Sequence, residues 1–106
     1  MADPRWDRLI QSLAEAGIEA KLTERDYVQD GPWGQGIRYG VSRSIIIRTP
    51  TGAVEISDRW WRKNRDVWIG WDVTREDRQG IVKRQWGPTK KRAEVRSAVL
   101  TALEES

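Results

Sequence analysis

The chain has no cysteine, no histidine and no phenylalanine, and a single methionine, in 106 residues. Without cysteine there is neither a disulfide framework nor a thiolate nucleophile, which favours a reducing compartment and leads us to expect a cytoplasmic protein. Without histidine the usual general base at neutral pH and the commonest metal ligand are gone. A serine or threonine nucleophile would have to rely on lysine or a carboxylate, an uncommon arrangement. No enzymatic activity, metal or cofactor is therefore expected, carboxylate-held Mg²⁺ being the one chemistry left open. The longest apolar run is Ile45-Ile46-Ile47, far short of a membrane span. Asp3 and Asp7 stand where a signal peptide needs a basic start and an apolar stretch.

Against these absences stand seven tryptophans, four of them (Trp60, Trp61, Trp68 and Trp71) within twelve positions. Tryptophan's codon is G-rich and phenylalanine's are T-rich, so a GC-rich genome accounts for part of the contrast. Arg59, Arg62, Lys63 and Arg65 are threaded through the cluster. Guanidinium groups stack on indole faces and pair with phosphate or carboxylate, so the mixture suits a nucleic-acid surface or a small Trp-built core rimmed by Arg. The net charge of +3 is unevenly spread. Residues 36–96 carry fifteen basic and seven acidic side chains, a net +8, between a −3 stretch at 1–35 and a −2 stretch at 97–106. A basic middle with acidic ends is suited to a polyanion.

The pattern along the chain predicts one α+β domain spanning 1–106. Asp3-Pro4 opens a helix in which Trp6, Leu9, Ile10, Leu13 and Ala16 form one apolar stripe, closed by Gly17 with Ile18 folding back. Alternation predicts a strand at Ile18–Thr23, and the loss of periodicity over 24–36 predicts a long loop carrying Trp33. Strands follow at Ile37–Thr49, at Ala53–Ser57 after a reversal through Pro50 and Gly52, at Val67–Thr74, and at Ile81–Trp86 after a turn at Asp77–Gly80. Pro88-Thr89 begins a last helix, Thr89 its cap, with Val95, Ala98, Val99, Ala102 and Leu103 buried. An antiparallel sheet of four to five strands with both helices on one face satisfies these patterns.

Two catalytic look-alikes dissolve on inspection. Glu19-Ala-Lys21 has the Glu-x-Lys form of restriction-type nucleases, but its partner Asp7 lies on the first helix instead of at a strand end. Gly31, Gly34 and Gly36 are followed by no helix pattern and no Lys-Ser/Thr, so they form no P-loop.

The candidate site is the basic, Trp-rich hairpin at 58–74. Strict alternation along 67–74 places Trp71 with Val67, Ile69 and Val73 on the core face, and Trp68 beside Gly70 on the other as a stacking platform. Trp60 and Trp61, as neighbours, should point to opposite faces, one toward the core. Lys83, Arg84, Lys90, Lys91 and Arg92 extend the basic path, the last three in the first helical turn, where cations oppose the helix dipole. The stretch from Trp68 to Leu103 is similar in outline to the small three-stranded-sheet-plus-helix modules that bind DNA arm sites in phage-type integrases. That likeness covers about a third of the chain, which adds a helix and two or three strands upstream. The expected function is non-enzymatic nucleic-acid binding, DNA before RNA, as in an accessory factor of a mobile element or chromosome. The alternative is a protein-interaction module of inhibitor, chaperone or immunity type, since Trp and Arg also dominate protein-binding hot spots.

Overall fold

The computed structural model describes residues 4–30, 37–62 and 66–106, and their side chains except at 27–30, 37–41, 61, 62 and 66. Helix α1 is Pro4–Glu15; its spaced apolar residues Trp6, Leu9 and Leu13 are fully buried. It ends as the sequence predicts. Gly17 takes φ 80°, the Gly17 N–H bonds the Ala14 carbonyl at 2.9 Å, and the Ile18 N–H reaches back to Leu13 at 2.9 Å. Glycine takes that left-handed conformation without steric cost, and the two bonds satisfy carbonyls that the helix end leaves open. The expected Asp3 cap lies outside the described residues.

Five strands follow: β1 (Leu22–Asp30), β2 (Ile37–Thr49), β3 (Gly52–Arg62), β4 (Asp66–Asp77) and β5 (Val82–Thr89). Each pairs antiparallel with the next, giving a five-stranded meander in the order β1-β2-β3-β4-β5. Helix α2 (Arg92–Glu104) closes the chain. The α+β class and the layout of helix, sheet, helix are those expected.

The core explains the arrangement. Trp6, Leu9 and Leu13 of α1 and Val95, Ala98, Val99 and Ala102 of α2 bury themselves against Ile45, Val54, Ile56, Trp71 and Val73 of the sheet. Alternate residues of the sheet supply this face, so both apolar helix stripes are buried against one surface. Trp6 meets Trp71 edge-on with ring centres 6.1 Å apart, which packs α1 against β4. Among the described residues no helix is long and apolar enough to cross a membrane.

Several boundaries differ from expectation. Strand β1 does not begin at Ile18, which is buried in the helix cap, and residues 24–30 are not loop: they pair in register with 37–43. Glu24, Arg25 and Asp26 are all exposed and charged, so these three residues produce no apolar alternation. Backbone pairing and a Glu24–Arg43 cross-strand bond at 3.1 Å hold this part of the hairpin instead. Residues 31–36, including Trp33, lie outside the described residues. Strand β5 runs on through Thr89, so the N-cap of α2 is Lys91 and not Thr89. Thr89 acts one step earlier, its hydroxyl accepting the Lys91 N–H at 3.1 Å and donating to Glu94.

The Asp77–Gly80 turn forms as predicted. The Asp77 carboxylate accepts the N–H groups of Ile81 at 3.0 Å and Gln79 at 2.9 Å, and these bonds, with Lys83 nearby, hold its pKa below the usual aspartate value.

Candidate nucleic-acid interface

The β3–β4 hairpin is shaped by a bulge. Arg59 pairs with Gly70 but Trp60 pairs with Trp68, leaving Ile69 as an extra residue in β4. One inserted residue reverses the alternation beyond it. Trp68 therefore shares the helix-bearing face with Trp71 instead of opposing it, and its ring stands edge-on to Trp71 at 4.8 Å. Val67, expected in the core with Trp71, is 40% exposed. Gly70 makes the bulge feasible. Its φ is 133°, and a Cβ there would lie 2.5 Å from the Thr89 carbonyl of β5.

Trp68 is consequently no open stacking platform. Its indole N–H donates to Asp58 Oδ1 at 3.0 Å, while that of Trp6 donates to Oδ2 at 3.1 Å, so one carboxylate anchors an indole from α1 and another from β4. The Arg5 guanidinium lies 4.1 Å from the Trp68 ring centre and 5.8 Å from that of Trp60. Trp60 remains 42% exposed at the rim of this stack. Arg59, on the opposite face, donates to Asp72 at 3.3 Å while its side chain stays 55% exposed. Lys63 and Arg65 lie outside the described residues. Trp61 and Arg62 are placed only by register, opposite Val67 and Asp66.

The helix-free sheet face offers little to a polyanion. By register it carries Ile46, Glu55, Thr74 and Gln85 in one row, with Ser57 and Asp72 in the next. Asp72 is only 4% exposed, accepting from Arg59 and, at 3.4 Å, from Gln85. Burial pushes the Glu55 carboxyl above its ordinary value near 4.5, repulsion and a hydrogen bond with Glu76 push it further, and Arg25 opposes both. A raised folded-state pKa means that the folded chain holds this proton more tightly than the unfolded chain. Stability is therefore lost as pH rises from about 4.5 through the raised value. Glu55→Gln should then melt higher than wild type at neutral pH, with the gap closing as pH falls toward 4.5. Thermal melts across this range test it, and a gap independent of pH would refute the assignment. Among the described residues no three carboxylates converge on a metal position.

The second basic group is divided by the fold. Lys83 pairs with Asp77 at 3.5 Å, and Arg84 pairs with Glu105 while lying 4.8 Å from the Trp86 ring centre. Arg84 is opposite Arg75, five residues along β4 from Gly70, or roughly 17 Å of strand away from the hairpin rim. Lys90, Lys91 and Arg92 lie at the near end instead, just beyond Thr89, which pairs with Trp71. They precede and open the helix; only Arg92 is within it.

The structure thus joins Trp60 and Trp68 with Arg5, a residue the sequence reading passed over, leaves Arg59 on the opposite face of the hairpin, and separates Lys83 and Arg84 from both. Arg5 stands one helical turn before Arg8 on α1, and that spacing is the pattern the sequence offers for it. Searches found no matching protein family, curated protein or solved structure.

Proposed function

We propose that this chain is a small, non-catalytic nucleic-acid-binding protein that grips the phosphate backbone with the β3–β4 hairpin, DNA before RNA. The observation that carries it is the exposed rim of Arg59 and Trp60, at the base of a segment bearing four cations in seven residues, Arg59 to Arg65. Because Arg5 covers Trp68 and the helix-free face is not basic, the described residues offer successive bases no flat aromatic platform on which to stack. Phosphate contact along a duplex suits this surface better than base stacking on a single strand.

Neutralising Arg62, Lys63 and Arg65 together is expected to abolish binding at moderate salt and to lower the log–log salt slope by up to about three units. Anisotropy of a labelled duplex over a salt series measures both, and an unchanged slope would remove the hairpin from the interface. The interaction-module reading draws on the exposed Ile81 and Val82 at the opposite end of the sheet. It predicts that Ile81→Ser and Val82→Ser leave oligonucleotide affinity untouched while weakening a protein complex.

A further inference from the structure

We propose that the groove between α1 and the start of α2 is a second phosphate-binding site, which takes the backbone of the same nucleic acid beyond the hairpin. This rests on the nucleic-acid reading above and deepens it. The groove encloses about 670 Å³ and is walled by Arg8 of α1 and by Lys90, Lys91, Arg92 and Arg96. Among the residues lining the groove, Glu15 is the single carboxylate set against these five cations. Like charges brought together from two helices repel, and here the fold does little to neutralise them. Among the described residues, only Lys91 of the five has an ion pair, to Glu94 at 3.8 Å. Elsewhere Arg43, Arg59, Arg75, Lys83 and Arg84 all meet carboxylates.

A second feature of the same groove points to an anion. Helix α2 opens without a side-chain cap: Lys91 occupies the N-cap in extended conformation, φ −91° and ψ 116°, and makes no capping bond. The first N–H groups of a helix have no partner within it, and its positive dipole end disfavours lysine and arginine there. A phosphodiester seated in the groove would accept from that backbone and neutralise the cations together.

The groove is also placed to continue the hairpin's path. Arg5, which overlies Trp60 and Trp68, is one turn of α1 before Arg8. Thr89, two residues before Lys91, pairs with Trp71 beside the bulge that carries Arg59's partner Gly70. A single backbone can therefore run from the hairpin rim across Arg5 into the groove.

The test is anisotropy of a labelled 20-base-pair duplex over a salt series with three forms of the full chain. In the triple variant Arg8→Gln, Arg92→Gln, Arg96→Gln, affinity at about 0.1 M salt should fall at least tenfold, and the salt slope should drop by about two to three units. The corresponding triple lysine variant should keep the wild-type slope, since a phosphate takes a point charge as well as a guanidinium. Ser12→Glu, which puts a carboxylate on a wall of the otherwise intact groove, should weaken binding by a similar factor. Wild-type affinity and slope in both the glutamine triple and Ser12→Glu would overturn the groove and leave the hairpin reading standing. Absence of wild-type binding even at 50 mM salt would overturn both.

Discussion

Gly70→Ala is expected to destabilise the domain by more than about 3 kcal/mol, lowering the melting temperature by roughly 12–25 °C. The backbone at Gly70 has φ 133°, outside the range that L-residues readily adopt. An added methyl would also lie 2.5 Å from both the carbonyl carbon and the oxygen of Thr89. Those are backbone atoms of β5, so relief requires β4 and β5 to separate where Trp71 pairs with Thr89. Because the bulge also sets the face on which Trp68 lies, near-ultraviolet circular dichroism from the indoles should change with stability. A loss below about 1 kcal/mol in urea unfolding would mean that this geometry is not the one adopted.

Asp58→Ala is expected to cost about 2–4 kcal/mol, from two indole donors losing their acceptor together. Trp6 is fully buried and Trp68 half-buried, so neither N–H is readily handed to solvent. Asp58→Asn should cost less, since the amide oxygen still accepts from one indole while its NH₂ faces the other. The ordering wild type, Asn, Ala in chemical unfolding is the diagnostic result. Equal stability of wild type and alanine variant would show that the Trp6–Asp58–Trp68 bridge contributes nothing.

These two residues also show how far the sequence could be read. The close of α1 at Gly17, the tight reversal after Thr49, the Asp77–Gly80 turn and the burial of Trp71 each follow from local chemistry: a left-handed glycine, a proline-led turn, an Asx-type carboxylate and an apolar alternation. Strand β1 past Thr23 was hidden because it opens on the charged run Glu24-Arg25-Asp26, which breaks the alternation, and only the ladder with β2 reveals it. Trp68 was assigned to the wrong face because alternation assumes an unbroken ladder. A single unpaired Ile69 breaks it, and the glycine next to Trp68 marked a close strand approach in place of an open surface for a ring.

The candidate interface was legible in part. Composition pointed to the hairpin, and Arg59 and Trp60 are exposed on it, but the charge tally could not tell paired cations from unpaired ones. Lys83 and Arg84 raise the basic count as much as Lys90 and Arg92 do, yet the former meet Asp77 and Glu105. Arg8 sits in an acidic N-terminal stretch and becomes part of a basic groove only because α1 packs beside the start of α2. Asp58, one more acid in a basic run by sequence, turns out to hold two tryptophans in place.

The most direct test of the central claim is binding of the wild-type protein to a labelled 20-base-pair duplex at 50 and 200 mM salt, read by anisotropy and by native tryptophan fluorescence. The account predicts binding at 50 mM that quenches the exposed Trp60 and weakens on the order of a hundredfold or more at 200 mM, as several phosphate contacts require. No binding at 50 mM, or binding indifferent to salt, would contradict it and direct the search to a protein partner.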